Sequence, residues 1–269
     1  MGLTSNRKRS RANPVEWVDK QIARGKTIFI VTASLWFVKL VFGNVNTLVI
    51  AAEVVRLMGL GCLVHKIAKE ESCAGLSLKS QMITAMYLFV RLYCSSVMQQ
   101  NVHVFPDFFA LVVTLWVLCK SHFKLRSTYS KDLDHFPLTY LLPPCALLSV
   151  ILHPRTAYPI IHRMLWAFSV YLETVQVLPQ LNLMQAIRVI EPQTAHYVFA
   201  LGLSRFLNCI HYVIRMVEGN KAMLKILGPG VWAGVTLASQ MISIFMLGDF
   251  TFYYLKSLMN GQRLVRLPV

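Results

Sequence analysis

Charged side chains are scarce in this chain, and acidic ones are the scarcest. Only 14% of its 269 residues are charged, whereas a soluble domain carries about 25%. Asp and Glu together number 12, against 27 Lys and Arg. With 55% hydrophobic residues and a mean hydropathy of +0.52, this deficit indicates an integral membrane protein. The apolar runs are continuous rather than alternating, so we predict helical spans and not a barrel.

Patterned cysteines and catalytic constellations are also lacking. The six cysteines are scattered without a CxxC pair, and we interpret them as small apolar packing residues. No nucleotide loop, metal cluster or nucleophile–base spacing stands out, so we expect no enzyme, no cofactor and no metal. The net charge of +15 comes from short basic segments between spans, which follows the positive-inside rule and predicts no nucleic-acid partner.

The chain divides into four predicted parts. These are a basic cytosolic tail (1–26), an extra hydrophobic segment (27–43), a seven-helix domain (46–255) and a cytosolic C-terminal tail (256–269). Segment 27–43 is either a short span or an interfacial helix. The domain's spans are predicted at about 47–64, 80–98, 103–119, 136–152, 160–180, 197–215 and 229–250. Basic residues fill alternate loops, which places both termini in the cytosol if 27–43 crosses.

Two ions of opposite sign lie in the most apolar stretches, Glu173 in AFSVYLETVQVLPQL and Arg215 in LNCIHYVIRMVEG. A charge at the bilayer centre costs at least about 2.5 kcal/mol, so it faces the bundle interior, a partner or a water-filled cavity. Both residues therefore mark a candidate functional cavity.

Four stretches carry a family resemblance. They are SCAGLSLKSQ (72–81), WAFSVYLETVQVLPQL (166–181), HYVFALGLSR (196–205) and GDF (248–250). Together they resemble the KDEL receptor family, the ER lumen protein-retaining receptors, over about 46–269. The N-terminal extension resembles divergent plant-type, receptor-like members of that family.

The resemblance implies an all-α integral membrane protein. Its seven-helix core would consist of two three-helix bundles, as in PQ-loop and SWEET transporters, plus the extra N-terminal span or interfacial helix. It also implies a multi-pass protein of Golgi and ER membranes. The expected function is binding of C-terminal K/H-D-E-L signals of ER luminal proteins and their retrograde return to the ER. The expected partners are those signal peptides, the lipid bilayer and a retrograde vesicle coat.

Five residues match signal-binding or cavity positions of the family. Arg91 matches the arginine that takes the peptide's terminal carboxylate, and Arg215 matches one that meets an acidic side chain. Glu173 matches a glutamate of the internal polar network, Arg205 lies in the shared stretch 196–205, and Trp166 matches a cavity-lining tryptophan. Four of these residues have a structural alternative: an ion pair for Arg91 and Glu173, snorkelling for Arg215, and an interfacial or core aromatic for Trp166.

Six cavity positions depart from the family pattern. The family has an arginine, a pH-sensing histidine, two acids and two tyrosines where this chain has Val49, Arg56, Cys94, Arg163, Ser204 and Asn208. Arginine does not titrate near Golgi pH, so Arg56 should weaken pH-gated binding. Arg163 should repel a basic ligand residue. We hypothesise a cation-rich cavity that prefers an anionic ligand.

The remaining features leave the function open at several points. Asp249 matches a family aspartate implicated in recycling, although a helix-packing contact is an equal interpretation. Pro179-Gln180 fits a PQ-loop-like hinge, or a mere kink. The C-terminal stretch 261–269 is basic but not dilysine, which puts coat recruitment in doubt. A small-solute transporter and a membrane scaffold without peptide binding remain alternatives to a receptor with altered specificity.

Overall fold

The computed structural model of the chain describes residues 45–98, 104–129, 132–187, 189–217, 231–261 and 265–266. The predicted basic tail (1–26) and hydrophobic segment (27–43) lie outside the described residues, and so does most of the stretch after 261. Residues 48–269 belong to one compact unit. The fold and the site below lie in the unit 48–269.

Helices account for nearly all of the described structure. Their bounds are α1 (Val45–His65), α2 (Leu78–Val97), α3 (Val104–Phe123), α4 (Leu142–Ile151), α5 (Ile160–Val175), α6 (Leu178–Ile187), α7 (Pro192–Val217) and α8 (Trp232–Met259). A π-helical turn at Lys66–Glu70 extends α1, and a 3₁₀ helix at Leu138–Tyr140 precedes α4. Two short strands, β1 (Val189–Ile190) and β2 (Val265–Arg266), pair antiparallel. The predicted all-α class is confirmed.

Among the described residues, four helical segments are long and apolar enough to cross a membrane. They are Thr47–Glu70, Val104–Phe123, Pro192–Val217 and Trp232–Met259. The predicted span at 229–250 is too short, because α8 continues to Met259. No breaker interrupts FYYLKSLM, and the helix ends only where Gly261 takes a left-handed backbone conformation (φ 68°) that favours glycine.

The predicted span at 160–180 is divided between α5 and α6. Pro179 occupies the second position of α6, where its missing N–H breaks no helical hydrogen bond. Side chains of α2 donate hydrogen bonds to polar groups at this break. Ser80 Oγ donates to the carbonyl oxygen of Gln176, and Thr84 Oγ1 donates to Oε1 of the same residue, both at 2.7 Å. The break therefore ties the α5–α6 segment to α2.

Large apolar side chains cover the outside of the bundle, and polar ones occur inside it. Phe105 and Phe245 are 75% and 86% exposed, which fits contact with lipid chains rather than water. Inside, α1 and α7 approach closely at Gly59, where an added Cβ would lie 2.7 Å from Cβ of Ala200. Helices α2, α3 and α5 pack side by side, and α8 packs on α7 and α5. This packing surrounds a set of buried charges.

Candidate functional site: a buried charge network

Arg91, on α2, lies at the centre of these charges. Its Nε donates to Oδ2 of Asp107 at 2.7 Å, and its Nη2 donates to Oδ1 of the same carboxylate at 2.5 Å. Its Nη1 donates to Oε1 of Glu173 at 2.7 Å. The ring of Tyr87, one turn earlier, lies 5.2 Å from the guanidinium carbon. The planar fork of one arginine thus joins α2 to α3 and α5.

Asp107 brings α1 into the same network. It lies in the first turn of α3 and is fully buried. Its Oδ1 also accepts from Nη2 of Arg56 at 2.7 Å. Arg56 is paired in turn with Glu53, one helix turn earlier on α1, at 2.5 Å. Residues three apart share one helix face, so both charges of α1 point toward α3.

Glu173 links α5 to α7. Its Oε1, which accepts from Arg91, also lies 2.6 Å from Nη1 of Arg205. Nη2 of Arg205 donates to the backbone carbonyl of Glu173 at 3.4 Å. Arg205 is buried, with a side chain 5% exposed. One carboxylate therefore bridges two arginines that belong to different helices.

The three clusters form one set, which we name the charge network. Its members are Glu53, Arg56, Arg91, Asp107, Glu173 and Arg205. Three are acids and three are arginines, so their formal charges cancel. Each arginine of the network thus has a carboxylate of the chain itself as its partner, whereas the sequence predicts a cation-rich cavity. This pairing agrees with the structural alternative for Arg91 and Glu173, an ion pair.

Several predicted cavity residues flank the charge network. Val49 is buried on α1, one turn before Glu53. Ser204 is buried and Asn208 half-buried on α7, on either side of Arg205 along the chain. Trp166 is half-buried two turns before Glu173 and packs against the hydrophobic core. These residues adjoin the network without a charged contact to it.

Other predicted residues lie further away. Arg163 is ten residues before Glu173, which is about 15 Å along a helix, and its Nη1 lies 3.5 Å from the carbonyl oxygen of Thr156. Cys94 is buried beside the same end of α5. Arg215 is half-buried in the last turn of α7, likewise about 15 Å beyond Arg205. Arg163 therefore lies apart from the charge network. Asp249 is exposed on α8.

Sequence reasoning missed two members of the charge network, Asp107 and Glu53. In the segment VFPDFFALVV the acid directly follows a proline, and the proline is the residue that favours a helix boundary. Yet an acid in the first turn of a helix is favoured by the helix dipole, and Glu53 stands three residues before Arg56 in an apolar run. Both carry the signal that singled out Glu173, a charge inside a predicted span.

A second polar cluster lies where the stretches 66–77, 125–134 and 176–194 meet. Lys66 is completely buried, and its Nζ donates to the carbonyl oxygen of Ala74 at 2.5 Å and to Oγ1 of Thr194 at 2.8 Å. It also lies 2.5 Å from a carboxylate oxygen of Glu191. The first shared motif is thus fixed to the start of α7.

Gln180 and Asp134 complete this second cluster. Gln180 accepts from the backbone N–H of Ser77 at 2.9 Å and donates to the carbonyl of Gly75 at 2.8 Å. Ser77 Oγ and the hydroxyl of Tyr129 both donate to Asp134. Burial and the hydrogen bond to this carboxylate raise the pKa of Tyr129 above its usual range. The glutamine of the Pro-Gln pair therefore satisfies backbone groups of the 75–77 loop.

Comparison with known proteins gives a consistent result. The profile of the family described as ER lumen protein retaining receptor matches residues 72–215. Proteins named ER lumen protein-retaining receptor are similar to the chain. The one from Dictyostelium discoideum is 32% identical over 227 residues, which are 79% of this chain and 95% of that protein. The one from Drosophila melanogaster is 32% identical over 223 residues, 81% and 97%. The one from Petunia hybrida is 30% identical over 232 residues, 81% and 98%.

Proposed function

The chain belongs to the ER lumen protein-retaining receptor family, and from this premise we propose that it binds C-terminal K/H-D-E-L-type signals of luminal proteins. Binding would take place in the Golgi lumen, and the bound proteins would return to the ER. The family is one of retention receptors and not of enzymes. The four long apolar helices among the described residues make the chain a multi-pass membrane protein. The ligand, the compartment and the direction of transport are our inference.

One observation carries this proposal: Arg91, the counterpart of the family's carboxylate-binding arginine, is held at the crossing of α2, α3 and α5 by the charge network. A planar guanidinium suits a carboxylate, and Asp107 makes that contact in this structure. Its neighbour in the network, Arg205, adds a second buried cation 2.6 Å from the shared Glu173. A peptide's terminal carboxylate is the ligand group that these arginines would take in exchange for an acid of the chain.

The proposed specificity differs from that of a typical member. Cys94 and Arg163 stand where the family has acids for the signal's basic residue, and the two lie at the same end of α2 and α5. A Lys or His at the first signal position would find no carboxylate from either residue. Arg56 stands in place of a titrating histidine and is already paired with Glu53 and Asp107. Binding should therefore vary little over the range in which histidine titrates, about pH 5 to 8.

Receptor-deficient cells provide the test. Secretion would be measured for reporters that end in His-Asp-Glu-Leu, Lys-Asp-Glu-Leu and Ala-Asp-Glu-Leu. We expect the chain to retain all three, with little preference for a basic first residue, and Arg91→Gln to abolish retention. Glu71→Gln, at an exposed side chain remote from the network, is the matched control. Secretion of every reporter by cells in which the protein reaches the Golgi would refute a retrieval function.

A further inference from the structure

The donors of Arg91 are committed to carboxylates of the chain itself. A guanidinium offers five N–H groups on two edges that can each grip a carboxylate with two bonds. The edge formed by Nε and Nη2 holds both oxygens of Asp107, at 2.7 and 2.5 Å. A third hydrogen bond runs from Nη1 to Glu173. Three of the five N–H groups are therefore donated to acids of the chain, and the edge that faces Asp107 has no donor left for an incoming carboxylate.

Burial and hydrogen bonds hold Asp107 in place. It is fully buried, and Arg56 reinforces it with a third hydrogen bond at 2.7 Å. Its backbone belongs to the first turn of α3, where the helix dipole also favours a negative charge. A charge cannot leave such partners for apolar surroundings without a large desolvation penalty. Any ligand that needs Arg91 must therefore compete with this carboxylate.

We propose that Asp107 is a built-in competitor for the ligand's terminal carboxylate and sets the affinity of the site. This inference rests on the proposed function. In the charge network, Asp107 makes on Arg91 the bidentate contact that a peptide terminus would make. A terminal carboxylate reaches this edge of Arg91 only by displacing Asp107, so it adds little to the affinity of the unmodified chain for a retention signal.

Peptide binding to the purified full-length chain tests this directly. The probes are one peptide ending in His-Asp-Glu-Leu as the free acid and the same peptide as its C-terminal amide. The variants are Asp107→Asn, which keeps the shape but removes the charge, and Asp134→Asn as the matched control. Asp134 is also a buried aspartate with hydrogen-bonded oxygens, but it belongs to the second cluster.

We expect the unmodified chain to bind the acid and the amide with similar, weak affinity. Asp107→Asn should bind the acid at least about tenfold more tightly, which is about 1.4 kcal/mol, and the amide with unchanged affinity. Asp134→Asn should behave like the unmodified chain. A purely structural role of Asp107 would not separate acid from amide.

A charge-balanced double variant provides a second measurement in case Asp107→Asn does not fold. Arg56→Gln combined with Asp107→Asn removes one cation and one anion, so the network stays neutral while the Nε edge of Arg91 is released. The role of Asp107 would be overturned if the unmodified chain, Asp107→Asn and the double variant bound the free-acid peptide with equal affinity. If Arg91→Gln abolished that binding, the proposed function would still stand. No binding of either peptide to any folded variant would overturn both.

Discussion

Replacing Glu173 by glutamine should destabilise the helix bundle more than any other single loss of an ion-pairing acid outside Asp107. Glu173 is the shared acceptor of Arg91 and Arg205, whose side chains are 13% and 5% exposed. Removing one partner of a buried pair costs roughly 3–5 kcal/mol, because the remaining charge is left uncompensated. We take about 3 kcal/mol, since a neutral glutamine still accepts one hydrogen bond.

Thermal unfolding in detergent measures this effect. For a domain of this size 1 kcal/mol shifts Tm by roughly 2–4 °C, so about 3 kcal/mol corresponds to roughly 6–12 °C. The matched control is Glu71→Gln, because Glu71 and Lys124 form an exposed pair at 3.8 Å. Exposed pairs contribute about 0–1 kcal/mol, so the control should shift Tm by roughly 4 °C at most.

The double variant Glu173→Gln with Arg205→Gln makes the reasoning refutable. It removes one acid and one arginine, so the charge network is neutral again. We expect it to recover part of the stability lost in Glu173→Gln. If Glu173→Gln unfolds within error of Glu71→Gln, or the double variant is less stable than the sum of both single losses, charge compensation does not stabilise this bundle.

Two further predictions concern packing and backbone satisfaction. Gly59→Ala should lower stability by roughly 1–3 kcal/mol, because its Cβ would lie 2.7 Å from that of Ala200. Gly61→Ala in the same helix has open space around it and should be neutral or stabilising. The unfolding midpoints of the two variants provide the comparison. Gln180→Leu should cost about 2 kcal/mol or more, since it leaves the N–H of Ser77 and a neighbouring carbonyl buried without a partner; faster hydrogen exchange at the 75–77 loop would report the loss, and unchanged exchange would contradict it.

The helices were largely predictable from the sequence, whereas the pairing of charges was not. Continuous apolar runs locate α1, α3 and α7 to within a few residues, because length and apolarity are local properties. Pro179-Gln180 marks a hinge or a kink in the sequence, but it does not fix where one helix ends and the next begins, since proline is tolerated in the first turn of a new helix. The contact of Arg91 with Glu173 spans 82 positions of the chain, and no local pattern specifies which acid meets which arginine.

Arg56 and Asp107 have to be considered together. An arginine buried on α1 in place of a titrating histidine introduces a permanent charge, and a buried charge persists only with a partner. Glu53 and Asp107 supply two carboxylates against Arg56, at 2.5 and 2.7 Å. Arg56 alone therefore suggests a cationic cavity. Together with Glu53 and Asp107 it belongs to a charge network that is neutral and whose arginines are already paired. It follows that Arg56→His by itself should not recreate pH-gated binding, because Asp107 would still hold Arg91. When Arg56→His is combined with Asp107→Asn, the affinity for a free-acid peptide should fall as pH rises through the range in which histidine titrates.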